Sequence, residues 1–159
     1  MNVTIRVGQA SVAPSSSVRD LGAIIDKTMT MVPQVSNVIR GMYTHIRRIA
    51  KIHHNLDKST CATLTQALVT SRLDFQNALF INLPKSTLAP LQLAQNAAAR
   101  LVSGAKKSDH ISPILSSLHW LPVQKRIMYK VLILVYKTLY NYAPPTYMSE
   151  MLTIYHPAC

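Results

Sequence analysis

The sequence predicts a mainly α fold: a short N-terminal β-hairpin-like element followed by a bundle of four to five helices. Three observations carry this expectation. The first thirty residues hold short alternations of apolar and polar residues, broken by small turn-forming segments. Beyond Pro33 the apolar residues recur three and four apart, the spacing of one helix face. Glycine, which loop-rich and all-β chains use freely, occurs only 4 times in 159 residues. With 48% apolar residues the chain can bury a real core and does not read as a disordered tail. Two units are expected, residues 1–30 and residues 31–159.

Taken in order, Val3, Ile5 and Val7 alternate with polar residues and predict a strand. Gly8-Gln9 supplies a tight turn and Ala10 to Ala13 a returning strand. Pro14 and three serines interrupt the pattern, after which Val18 to Asp26 reads as a third extended piece. So small a β-element is not stable alone. The first helix follows from Val35, Val38, Ile39, Met42, Ile46, Ile49 and Ile52, with Arg40, Thr44, Arg47, Lys51 and His54 gathered on the opposite face. A second helix is capped by Asp57 or Ser59 and runs through Leu64, Leu68 and Val69 toward Asn77, before Pro84 stops the segment. The third spans Ser86 to Val102, with Pro90 expected in its first turn and Gly104 as its stop. Its alanines, Ala94 and Ala97 to Ala99, allow a neighbouring helix to come close. Arg100 near its end suits the helix dipole. Ser112-Pro113 opens a short helix over Ile114 to Leu118, and His119-Trp120-Leu121-Pro122 breaks it. Trp120 is expected to anchor the core rather than stack on a base. A long helix from Val123 to Tyr140 is ended by Pro144-Pro145, and Thr146 to Leu152 adds a last turn or two. Its apolar run, Ile127 to Tyr140, is too short to span a bilayer and carries Lys130 and Lys137, so a buried helix is expected.

Charge narrows the function. Lysine and arginine number 17 against 6 acidic residues, giving a formal net charge of +11 and a pI near 10.0. That imbalance favours a polyanionic partner, nucleic acid or an anionic membrane surface. The basic residues of the first helix, Arg40, Arg47, Arg48, Lys51 and His54, are the candidate phosphate contacts. A solvated face of an amphipathic helix would look the same, and the charge of the whole chain tips the balance toward binding. No catalytic set is visible. The acids are Asp20, Asp26, Asp57, Asp74, Asp109 and Glu150, and no two are spaced to share one face of a short element. There is no phosphate-cradling GxxxxGK[ST], no GxGxxG and no His/Cys metal spacing, so no metal site and no cofactor are expected in this chain. Arg72 and Asp74 are expected to pair with each other or to cap neighbouring helices. Cys61 and Cys159 form no framework and are expected to stay reduced in an intracellular protein, nuclear or cytoplasmic. The start lacks the apolar stretch of a signal peptide.

Four segments, SVRDLGAIID, TSRLDFQNALFINLP, LQLAQNAAARLV and DHISPILSSLHWLPVQKRI, carry a family likeness in their order and spacing. Together they resemble the region that follows the catalytic palm in non-LTR (LINE-type) retrotransposon reverse transcriptases, over about Val3 to Leu152. The resemblance implies that Leu21-Gly22 is the turn of a primer grip, that residues 1–30 are a remnant of the palm edge, and that residues 31–159 are a thumb-like bundle. The implied partner is an RNA–DNA or DNA duplex, held without regard to sequence. The family's catalytic pair of adjacent aspartates has no counterpart here, so the chain is expected to be non-catalytic alone, and magnesium would belong to a missing palm. It looks like a truncated copy of the element, or a gene model over one. Its N-terminal β-element would then meet a palm supplied in trans, or self-associate. Two alternatives stand beside this: a functionless vestigial product of such an element, and a helical module for protein or membrane-surface interaction.

Overall fold

A computed structural model of the chain describes residues 5–140, 142 and 146–152. It is mainly α-helical, with the expected β-element at its start. Two antiparallel hairpins come first. Strands β1 (Ile5–Val7) and β2 (Ala10–Val12) pair Ile5 with Val12, and Gly8 takes the positive φ that their turn demands. Strands β3 (Ser17–Asp20) and β4 (Ala23–Asp26) pair Ser17 with Asp26 and Asp20 with Ala23. The sequence over Val18 to Asp26 was expected to be one extended piece, and it folds back on itself instead. Leu21 and Gly22 both adopt positive φ, 44° and 89°, the geometry of a two-residue hairpin turn. The leucine disguises that turn, since a non-glycine residue rarely adopts such a φ. The two hairpins form separate sheets. Val3 and residues 1–4 generally, Pro144-Pro145 and Cys159 lie outside the described residues.

Helix α1 (Val32–Ile52) buries Gln34, Val35, Val38, Met42, Ile46 and Ile49, and continues into a short 3-10 turn over His53–Asn55. Asp57, not Ser59, caps α2 (Lys58–Thr65) by accepting the Thr60 N–H at 3.0 Å. Cys61, Thr65, Val69 and Leu73 are all buried, a row four residues apart. In a regular helix that row would drift around the axis, since four residues overshoot one turn. A π-helical turn over Gln66–Thr70 absorbs the overshoot before α3 (Ser71–Asp74). The segment expected to reach Asn77 in one helix therefore ends at Asp74, and Gln76, at φ 55°, leads into a 3-10 turn over Asn77–Phe80.

Helix α4 (Lys85–Ser103) lies against α1 and closes on Gly104 at φ 70°. Ala94, Ala98 and Ala99 are buried, so the close approach expected of them is realised. Pro90 sits in the second turn of α4 rather than the first, where its missing N–H leaves the Ser86 carbonyl without its usual partner. Helix α5 (Ile111–Ser117) starts one turn earlier than expected and ends with His119 at φ 54°. There the Trp120 N–H reaches Leu115 O at 2.8 Å and the His119 N–H reaches Ser116 O at 3.0 Å, a paired closure that normally recruits glycine. Trp120 packs against the core as expected.

Helix α6 (Val123–Leu139) corrects one expectation. Only Val123, Ile127 and Thr138 are buried, while Met128, Leu132, Tyr136 and Leu139 are exposed. The other helices cover one side of α6 and nothing among the described residues covers the other, so this is not the buried helix expected. Tyr136 stacks within its own segment, with ring centroids 4.6 Å from Tyr140 and 6.1 Å from Tyr142. The last described helix is α7 (Thr146–Glu150). No helix among the described residues is long and apolar enough to cross a membrane.

The second hairpin is fastened to the helices. Gln34, buried in α1, accepts the Ile24 N–H at 2.9 Å, and the Gln76 amide donates to Leu21 O at 2.9 Å. A Cβ on Gly22 would stand 3.3 Å from the Phe75 ring, so the turn needs glycine for both its φ and its fit. Ala23 is buried and Ile24 and Ile25 are half-buried, whereas Ile5, Val7 and Val12 of the first hairpin are exposed.

Candidate nucleic-acid interface

The basic stripe forms on α1 as its apolar period requires. At about 100° per residue, Arg40, Arg47 and Lys51 fall within about 40° of one another, on the side opposite Val35, Val38, Met42, Ile46 and Ile49. All three are exposed. Eleven residues separate the first from the last, about 16 Å at the rise of an α-helix. Arg48 is also exposed but lies about 80° around the helix from Arg40. His54 is exposed beyond the end of α1, in the 3-10 turn. The five sequence-predicted contacts thus divide into a straight row of three, a flanking arginine and a histidine past the helix end.

Arg48 belongs to a second group that sequence reading missed. The flank of α1 facing the hairpin carries Gln34, Asn37, Gly41, His45 and Arg48. Arg72 of α3 lies across Gly41, where a Cβ would stand 3.2 Å from both its Cδ and its Nη1. Burial and then the charges of Arg72 and Arg48 push the His45 imidazole below its ordinary range, so this flank is positive before anything binds. Arg19 of β3 joins Arg72 on a pocket of about 470 Å³ beside the Leu21-Gly22 turn, lined also by Gln34, Asn37 and Phe75. Gly41 was the available signal: a glycine inside an otherwise regular amphipathic helix marks a close approach.

The acidic residues explain why these cations stay unneutralised. Asp26 accepts from the Thr30 and Met31 amides at 2.9 and 2.8 Å and from the Thr28 and Thr30 hydroxyls. The Thr30 amide above all, with the two hydroxyls, holds this carboxyl far below the usual carboxylate range. Bonds from the Thr60 hydroxyl and amide likewise depress Asp57. Asp109 accepts the Lys106 N–H at 2.7 Å, and Arg100 ties the same loop through Lys106 O and Asp109 O, both at 3.2 Å. Asp74 pairs with Arg126 at 2.7 Å and not with Arg72, the one ion pair among the described residues. Four of the six acids are thus engaged in holding the chain together. No group of three His, Cys, Asp or Glu side chains that could hold a metal occurs among the described residues.

No family model matches the chain, and neither a curated protein nor a solved structure does.

The four segments SVRDLGAIID, TSRLDFQNALFINLP, LQLAQNAAARLV and DHISPILSSLHWLPVQKRI meet in space. The Leu21-Gly22 turn sits on Phe75 and Gln76 of the SRLDFQN segment, and Asp74 of that segment binds Arg126. Gln95 of the alanine-rich helix donates to Leu121 O at 2.8 Å, and Gln92 beside it accepts the Val123 N–H at 2.8 Å. Their polar residues thus serve as mutual contacts of one fold.

Proposed function

We propose that this chain is the primer-grip and thumb region of a non-LTR (LINE-type) reverse transcriptase, a piece that binds a template–primer duplex and does not polymerise by itself. The observation that carries the binding is the exposed row Arg40, Arg47 and Lys51, turned away from the core in a chain four of whose six acids are engaged elsewhere. A row of about 16 Å runs past several phosphates, since one strand of a duplex places a phosphate about every 3.4 Å of axis. Such contacts position the duplex without reading its sequence. The family part of the reading rests on the four sequence segments, SVRDLGAIID, TSRLDFQNALFINLP, LQLAQNAAARLV and DHISPILSSLHWLPVQKRI, in their order and spacing. Leu21-Gly22, at the hairpin tip with Leu21 exposed and Gly22 against Phe75, is the primer-grip turn. The aspartate pair and its magnesium would belong to a palm outside these 159 residues, and the exposed β1–β2 hairpin is a surface on which that palm would sit.

Titrating an RNA–DNA duplex at increasing salt tests the binding. Affinity is expected to fall linearly in log–log form, and replacing Arg47 and Lys51 with alanine should reduce the slope by about 0.7–0.9 for each. An unchanged slope would count against the α1 face. Incorporation of nucleotides by the purified chain would overturn the non-catalytic assignment.

A further inference from the structure

The pocket beside the hairpin turn has the chemistry of an anion site. Its walls come from three elements: Arg19 from β3, Gln34 and Asn37 from α1, Arg72 and Phe75 from the α3 segment. None of its lining residues is acidic. Asp20, next along β3, falls on the opposite face of the hairpin by strand alternation. Arg72 is held in place from below, because Gly41 offers it a floor of backbone with no Cβ. Gln34 supplies the second, independent observation. Its side chain is only 2% exposed, and its carbonyl oxygen is fixed by the Ile24 N–H. The amide nitrogen therefore remains as a donor on the pocket wall. Two guanidinium groups and a neutral amide donor, beside the Phe75 ring and Val38, make a solvent-open site in which a tetrahedral oxyanion gains charge-assisted bonds.

We propose that this pocket binds a phosphate group, held by Arg19 and Arg72 with Gln34 and Asn37 as neutral donors. It deepens the duplex-binding reading and rests on it only for the source of the phosphate, the backbone of a strand lying over the Leu21-Gly22 turn. The phosphate would be a contact separate from the row on the far side of α1, so one duplex would be gripped on two flanks of that helix.

The test uses the whole chain and follows the Gln34 side-chain amide and the Arg72 Nε–H by NMR at constant ionic strength. Inorganic phosphate is titrated first, against chloride, and an RNA–DNA duplex second. Saturable shifts of both signals are expected with each, and Arg72→Gln should weaken inorganic phosphate by about tenfold or more. Shifts with inorganic phosphate alone would keep the pocket as a phosphate site and assign it to a free anion. Shifts that follow ionic strength regardless of the anion, or an Arg72→Gln variant that folds and binds as wild type, would overturn the proposal. Because the Gln34 signal is read in the wild-type chain, a variant that fails to fold does not blunt the test. A chain that binds no duplex but takes phosphate at Gln34 would sink the duplex reading and spare the pocket. A duplex bound with Gln34 silent would do the reverse.

Discussion

Replacing Arg126 with alanine removes the clasp between the start of α6 and the end of α3. Its Nη1 donates to both oxygens of Asp74, at 2.9 and 2.7 Å, and its Nε donates to Leu121 O at 3.0 Å. The side chains are 14% and 39% exposed, so the pair is neither a surface pair nor a fully dry one. Exposed pairs contribute about 0–1 kcal/mol and breaking a buried pair costs about 3–5 kcal/mol. Here Asp74 stays within reach of water when its partner leaves, and Leu121 O keeps its bond from Gln95. Both facts place Arg126→Ala toward the lower end, at about 1.5–2.5 kcal/mol. For a chain of this size that lowers Tm by about 4–8 °C. Urea denaturation of wild type, Arg126→Ala, Asp74→Asn and the double variant isolates the pairwise part, expected at about 1 kcal/mol and reduced in high salt. Single-variant effects that add to within about 0.3 kcal/mol would refute the clasp.

Three further outcomes follow from the same geometry. Leu91 is fully buried between α4 and its neighbours, so Leu91→Ala should cost about 2–5 kcal/mol in a denaturant titration; a loss under about 1 kcal/mol would mean the core is not where the structure puts it. Gly41→Ala gains up to about 1 kcal/mol of helix propensity but pushes Arg72 off its floor. Tm should hold or rise while the salt slope of duplex binding falls by about 0.7–0.9, and an unaltered slope would argue against Arg72 as a contact. Asp26, whose carboxyl is held low by its amide and hydroxyl donors, stabilises the fold fully above the ordinary aspartate range, and this contribution is lost as pH falls below that range. Asp26→Asn should therefore show a flatter decline of Tm from pH 5 to acid than wild type, and parallel curves would contradict the loop geometry around Thr30.

Helices were legible wherever a residue type forces a boundary. Pro84 and Pro122 precede α4 and α6, Gly104 closes α4, and Asp57 caps α2. Turns made by residues that tolerate a positive φ without advertising it were not legible. Leu21, Gln76 and His119 adopt that conformation, so alternation alone read β3–β4 as one extended piece, its turn being named only through the family resemblance, and the helix before Gln76 was expected to run on to Asn77. Apolarity alone could not say which of two helices is covered: α1 and α6 both carry apolar stripes, and only α1 is packed along its length. The basic face was half visible for a related reason. Periodicity finds Arg40, Arg47 and Lys51 within one helix, whereas Arg19 and Arg72 join the site through the fold. Asp74 chose Arg126, 52 positions away, over its near neighbour Arg72, and that choice is what frees Arg72 for the pocket.

Where a duplex lies on the chain decides the matter most directly. Backbone amide shifts are to be mapped as a 16-base-pair RNA–DNA duplex is added at moderate salt. Perturbations are expected along Arg40, Arg47 and Lys51 and at the Leu21-Gly22 turn, with the exposed stripe Met128, Leu132 and Leu139 of α6 undisturbed. Perturbations centred on that α6 stripe, or none on α1 at saturation, would contradict a grip through positive charge on the first helix.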